Sequence, residues 1–268
     1  MEYIKTRKSV RTFTGEKLKE QDVKKINEYI SDKKNLIGIN GNIVNIELKQ
    51  VAGVKGEKIG TYGFIKDSPA FLIAICKNTQ EYMLDCGYVL EKLILFLHKN
   101  GLGTCWLGGT FNRNQFDVKD TYGDDAYIPV ISPVGYEAQK KSISEKMTRS
   151  RSKADLRNEF DTMFFYKDFN TKLENQDLRD TMEYVRRAPS ASNKQPWRVI
   201  LSEDGVANFY LERTPNYVGA KLSYDIQWLD IGIALAHYEL ASNKNTYFIE
   251  KPKVDMISEY TEYVVSVK

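Results

Sequence analysis

Two stretches of this chain each occur twice, in the same order, and that limits its possible folds more than any other feature. Gln21-Asp22-Val23-Lys24, ending in Glu28-Tyr29-Ile30, returns as Gln176-Asp177-Leu178-Arg179, ending in Glu183-Tyr184-Val185. Asp85-Cys86-Gly87, followed by Leu90 and Lys99-Asn100, returns as Asp230-Ile231-Gly232, followed by Leu235 and Lys244-Asn245. A repeated order of this kind marks a duplicated unit. Two copies do not make a solenoid. They pack as similar halves about a pseudo-two-fold axis, like a homodimer joined into one chain. The halves are expected at 1–157 and 158–268, forming one compact unit that is a monomer in solution.

Periodicity places the elements. Leu18, Val23, Ile26, Tyr29 and Ile30 recur at helical spacing. Val44, Ile46 and Leu48 alternate with Asn45, Glu47 and Lys49, the pattern of a half-buried strand. Phe71 to Cys76 is continuously apolar after Ser68-Pro69, as in a strand covered on both faces. The next run, Asp85 to Asn100, is apolar nearly all round and predicts a buried helix, with Asp85 as its cap and Gly101 as its stop. Its repeat at Asp230 predicts a second buried helix, the two packing near the pseudo-axis. Tyr127 to Gly135 reads as a strand that Pro129 and Pro133 make an edge or an irregular stretch. Tyr263 to Val267 alternates like a strand and is expected to pair across to the other half. Lys140 to Arg157 is polar and basic, a linker with a surface helix.

Composition excludes several classes. The net charge of +3 is too mild to indicate nucleic acid. No apolar run is long enough to cross a bilayer, and the first residues lack the apolar core of a signal peptide. Cys76, Cys86 and Cys105 form no Cys-x-x-Cys pair, as suits free thiols in a reducing cytoplasm. His98 and His237 are the only histidines, so a zinc or iron site is not expected. With so few histidines, acid–base chemistry must come from carboxylates, or the hard chemistry from a bound cofactor.

The two copies differ where ligands could bind. Only the first has Arg7-Lys8-Ser9-Val10-Arg11; the second has Tyr166-Lys167-Asp168-Phe169 in its place. In an extended segment Arg7, Ser9 and Arg11 share a face, and two guanidiniums flanking a hydroxyl suit a phosphate. A solvated basic N-terminus explains the same residues. Only the first has Gly101-Leu-Gly-Thr-Cys-Trp-Leu-Gly-Gly109 after its buried helix; the second has Thr246-Tyr247-Phe248-Ile249. Those glycines allow close approach to a flat ligand, although a helix stop plus a turn explains Gly101 alone. Gly53 and Gly56 offer a weaker phosphate cradle, with no Gly-Lys-Ser/Thr after them. Conversely, only the second copy has Arg187-Ala-Pro-Ser-Ala-Ser-Asn-Lys-Gln-Pro-Trp197, where Pro189 and Pro196 bracket small polar residues. Such a run makes a loop of defined shape between helix and strand.

That run resembles the flavin-ring loop of FMN-dependent nitroreductases, and Arg7-x-Ser9-x-Arg11 stands where that family holds the FMN phosphate. The resemblance extends over nearly the whole chain and is strongest with the fused, single-chain branch. It implies an α+β, nitroreductase-like fold: two similar halves, each with a mixed, mostly antiparallel sheet flanked by helices. Flavins of the dimeric relatives lie between subunits, so the motifs kept here add up to one complete site.

By the same resemblance, Arg7, Lys8, Ser9 and Arg11 hold the phosphate. Arg157 supports them, with Arg149, Arg151 and Lys153 as competitors. Trp106, Leu107, Gly108 and Gly109 cover the ring near N5. Pro189, Ser190, Ala191 and Asn193 line it, and the Asn193 amide is placed to meet its pyrimidine edge. Tyr62, Tyr217 and Tyr224 either wall a substrate space or are ordinary core and surface residues.

The implied activity is hydride transfer from NADH or NADPH through flavin N5 to a nitroaromatic, quinone or similar small-molecule acceptor, in a ping-pong cycle with no catalytic side chain. The alternatives are a flavin-binding protein without turnover and a basic interaction module at Lys140–Lys153.

Overall fold

In the computed structural model, which describes residues 1–51, 59–217 and 222–268, the apolar run at Phe71 lies in a strand buried along almost its whole length. Gly53 and Gly56 lie outside the described residues. The chain begins with a short helix α1 (Glu2–Thr6), followed by α2 (Glu20–Ser31), β1 (Asn45–Gln50) and β2 (Ala70–Lys77). Then come α3 (Gln80–Lys99), β3 (Gly103–Thr104), α4 (Lys119–Tyr122), β4 (Ala126–Tyr127), β5 (Ile131–Gly135) and α5 (Ile143–Arg151). These strands form one antiparallel sheet in the order β1-β2-β5-β3, with β4 paired to β2. Pro129 lies between β4 and β5 and Pro133 within β5, which runs between β2 and the short β3; the stretch is irregular but interior.

The rest of the chain forms β6 (Phe164–Tyr166), β7 (Asp168–Lys172), α6 (Gln176–Arg186), β8 (Trp197–Leu201), β9 (Ala207–Glu212), α7 (Ile226–Ser242), β10 (Tyr247–Phe248) and β11 (Thr261–Val267). Its sheet runs β10-β11-β9-β8-β6-β7. The series β8-β9-β11-β10 reproduces β1-β2-β5-β3 strand for strand, so the duplication seen in short motifs extends to the topology. The second sheet adds the β6–β7 hairpin through a parallel β6–β8 pairing, which makes it mixed.

Between the sheets, α3 crosses α7, and the repeated glycines explain how closely. A Cβ on Gly87 would collide with the carbonyl oxygen of Leu229, and a Cβ on Gly232 with that of Leu84. The two contacts are reciprocal, as a two-fold relation requires. Val89, Leu93 and Ile94 of α3 and Ile231, Ala234 and Leu235 of α7 are fully buried in a single apolar core that reaches both sheets. Each buried Leu or Ile contributes about 1.5–3 kcal/mol.

Two expectations need correction. Thr79, not Asp85, caps α3, accepting from the Tyr82 amide at 3.4 Å. Asp85 lies more than a turn inside the helix, wholly buried, and points at the Asn40–Asn42 turn. β11 does not cross to the other half; it pairs with β9 and β10 in its own sheet. Alternation defined the strand but carried no information about its neighbour.

Candidate functional site

The N-terminal segment reaches the site because α1 ends at Arg7 and the backbone becomes extended there. Ser9 then bridges Thr104 of β3, and the Val10 amide donates to the Thr104 carbonyl at 2.8 Å. Val10 packs into the core, while Arg7, Ser9 and Arg11 line a cavity. Arg7 is itself buried, with Nε 3.8 Å from Glu91 Oε1. Its Nε and Nη1, Nη1 of Arg11 and Nε of Arg157 are all buried without a hydrogen-bond acceptor among the described residues.

Arg157 is held by the carbonyls of Leu156 at 2.8 Å, Ala154 at 3.1 Å and Arg187 at 3.1 Å. Burial, then the nearby charges of Arg7, Arg187 and Arg186, pull its guanidinium down to about 10. It remains a cation at neutral pH, among other cations. Buried N–H groups of this kind are costly when unpaired, and an anion with several acceptor oxygens satisfies them best. Arg149 also lines the cavity; it donates to the Ser9 carbonyl at 3.3 Å and pairs with Asp155. Lys8 reaches the wall too, but its ammonium is paired with Glu137 at 2.8 Å and half exposed.

Glu91, fully buried in α3, ties this wall together. It accepts from Trp106 Nε1 at 2.7 Å and faces His237 Nε2 at 2.9 Å, in addition to Arg7. His237 Nδ1 lies 2.9 Å from the Tyr184 carbonyl. The Tyr184 carbonyl can only accept, so His237 donates through Nδ1, and Nε2 is hydrogen-bonded to Glu91.

Across the cavity is the loop from Pro189. Ser192, Asn193 and Gln195 all have positive φ, at 51°, 56° and 51°. Such a backbone persists only when its surroundings over-determine it. Ser190 Oγ accepts from the Gln195 amide at 2.8 Å, and the Gln195 carboxamide accepts from the Asn158 amide at 2.9 Å. Asn193 lines the cavity, but its amide is spent on the protein. Nδ2 donates to the carbonyls of Lys153 at 2.9 Å and Leu156 at 3.1 Å, and Oδ1 accepts from Arg157 at 3.4 Å. Asn193 therefore fastens the loop to the linker that carries Arg157, and is not free to meet a pyrimidine edge.

The glycines of the 101–109 run have separate causes. Gly101, at φ +81°, ends α3, and Gly103 packs against Val10. Gly108 lies under the hydroxyl of Tyr224, where a Cβ would fall 2.6 Å from that oxygen, and its carbonyl accepts from Arg113. Much of their smallness thus serves protein packing and not open space for a ligand. Trp106, Leu107, Gly108 and Gly109 nevertheless line the cavity.

All thirteen residues expected from sequence lie on the wall of this one cavity, whose volume is about 680 Å³; the loop contributes Pro189, Ser190, Ala191 and Asn193. Tyr217 lines it as well and donates to Ser192 Oγ at 3.1 Å; Tyr62 is 69% exposed elsewhere, and Tyr224 is buried behind Gly108. Sequence reasoning missed Phe64 and Asp230. For Asp230 the signal lies in the repeated Asp-x-Gly, whose local pattern marks only a helix start.

The family model described as "Putative TM nitroreductase" matches residues 1–242. The chain belongs to that family, and so to the oxidoreductases of nitroreductase type. Among solved structures it is similar to a "putative nitroreductase" of Thermotoga maritima MSB8, at 19% identity and a TM-score of 0.58, covering 99% of this chain and 91% of that one. That likeness extends the nitroreductase-like fold over the whole chain. A nitroreductase family protein of Clostridium novyi NT aligns at 21% identity and a TM-score of 0.38, covering 53% of this chain and 87% of that one. A Bacteroides fragilis nitroreductase with bound FMN aligns at 18% identity and a TM-score of 0.39, covering 53% and 90%. A search of curated proteins returns no match. Among the described residues, no helix is long and apolar enough to cross a membrane.

Proposed function

We propose that the cavity binds FMN and that the chain is an FMN-dependent oxidoreductase, taking hydride from NADH or NADPH and delivering it to a nitroaromatic, quinone or similar acceptor. The observation that carries this reading is that Arg7, Arg11 and Arg157, which line one cavity, each hold a buried guanidinium N–H group with no acceptor among the described residues, in a chain of nitroreductase family. Phosphate oxygens satisfy several such donors at once. Ser9 adds a hydroxyl on the same wall.

Bound there, FMN supplies hydride acceptance and donation at N5. The protein's part is position and exclusion of water. Trp106 to Gly109 form one wall and Pro189 to Ala191 another. Glu91 keeps Arg7 and Trp106 in register through its contacts with both. Leu229 and Ile233 of α7 line the floor and keep it apolar. The halves 1–157 and 158–268 act as one unit, since each supplies part of the wall, and the chain is read as a cytoplasmic monomer that binds neither nucleic acid nor membrane.

The test is to purify the protein, identify any released cofactor by mass and add NADH or NADPH without oxygen. Yellow protein that bleaches and then recovers its colour with a quinone or nitroaromatic supports the proposal. FMN that binds but does not bleach makes the chain a flavin carrier. Failure to bind FMN removes the proposal altogether.

A further inference from the structure

Asp230 is 1% exposed, yet it reaches the cavity wall. Its Oδ1 accepts from the Ala191 amide at 2.9 Å, and its Oδ2 has no partner among the described residues. Around it the wall is apolar, with Leu229 and Ile233 from α7 and Ala191 from the loop. Its counterpart Asp85 has a full set of partners, with Oδ1 accepting from Asn40 and Oδ2 from Asn42. The same helix position is thus fully bonded in one half and half-bonded, at the wall of a cavity, in the other.

Resting on the flavin reading above, we propose that Asp230 is a ligand-binding residue: Oδ1 fixes the loop at Ala191, and Oδ2 makes a hydrogen bond to the ring system of the bound flavin. An ionised carboxylate buried with a single N–H donor and no cation is costly, and a proton removes most of that cost. Burial accordingly pushes Asp230 well above the usual carboxylate range, and Asp225 adds to this. In its protonated form Oδ2 donates to one of the ring's carbonyl or nitrogen acceptors.

Among the described residues, the titratable groups facing Asp230 are few. Asp225, at the head of its own helix, is paired with Arg213 at 2.8 Å. The phenols of Tyr217 and Tyr224 face it from the segment before α7, and burial pushes both upwards. α3 meets this turn of α7 with Leu84, Gly87 and the Tyr88 backbone.

The experiment compares FMN dissociation constants of the wild type and D230N, by quenching of flavin fluorescence, from about pH 5 to about pH 9. The carboxamide in D230N keeps an acceptor for the Ala191 amide and presents an N–H where the acid presents O–H. The two proteins should bind alike at low pH. As pH rises and Asp230 loses its proton, the wild type should weaken about tenfold relative to D230N. D230A, lacking the donor, should be about tenfold weaker than wild type at low pH. Thermal unfolding of each variant identifies any that is misfolded, and the wild-type to D230N comparison does not depend on D230A folding. A ratio that stays constant across the range, or D230N weaker than wild type at every pH, overturns the role of Asp230 while leaving flavin binding intact. A wild type that binds no FMN at any pH overturns both.

Discussion

The corners around Asp85 and Asp230 are built on the same crossing of α3 and α7 and differ in what faces the carboxylate. At Asp85, Asn40 gives a backbone and a side-chain N–H at 3.1 and 3.0 Å, and Asn42 gives another at 2.9 Å. Gly38 is pressed so close that a Cβ would strike the Asp85 side chain. That corner is filled by protein. At Asp230 the facing loop offers one amide, from Ala191, and leaves a cavity of about 680 Å³. A duplicated scaffold therefore keeps or closes a site through a few loop residues, while the helix crossing stays the same.

The largest expected effect comes from breaking the part both corners share. Gly87→Ala and Gly232→Ala each drive a methyl into a backbone carbonyl that cannot step aside. Each should cost about 3 kcal/mol or more in thermal unfolding, at the upper end for overpacking. Similar losses are expected because the contacts are reciprocal; a tolerated alanine at either site would disprove the close crossing.

The next prediction sharpens the contrast at the phosphate end. Arg7→Ala should weaken FMN binding about 10- to 100-fold, the scale of one or two charge-assisted hydrogen bonds. Lys8→Ala should change it by no more than about twofold, because its ammonium already pairs with Glu137 at the exposed rim. Equal losses in the two variants, read by fluorescence titration, would mean that general positive charge and not the buried guanidinium holds the ligand.

Asp85→Asn sets the two corners directly against each other. It turns an acceptor into a donor facing the Asn40 and Asn42 N–H groups. It should destabilise the fold by about 1–3 kcal/mol and leave FMN affinity unchanged. A loss of FMN binding without loss of stability would show that the closed corner takes part in the site.

The smallest effect is in pH. Asp230 is raised in the folded state, chiefly by burial, so folding takes up a proton there. The stability it contributes is complete below its ordinary value of 3.8 and is lost as pH rises through the folded value. Wild-type unfolding free energy should therefore fall relative to D230N as pH increases from about 4. Parallel pH curves would contradict the buried, half-bonded carboxyl.

Much of this was legible in the sequence because local pattern controls it. The run at Phe71 made β2, the all-round apolar stretch after Asp85 made α3, and the Asp-x-Gly repeat marked the crossing. The motif residues converged on one cavity because their spacing and the duplication fixed where each half could contribute. What was not legible depends on contacts distant in sequence. Asp85 looked like a cap because nothing near it reveals the Asn40–Asn42 turn that claims its oxygens. Asn193 looked free because its partners, Arg157 and the 153 and 156 carbonyls, lie in the linker between the halves. The strand at Tyr263 was certain in pattern, and its partner was set by packing.

The most direct measurement is the stoichiometry of FMN in a calorimetric titration of the purified chain. One intact corner and one filled corner predict a single FMN for each 30.9 kDa chain. Two per chain would show that the Asp85 corner also opens, and none at saturating FMN would contradict the site itself.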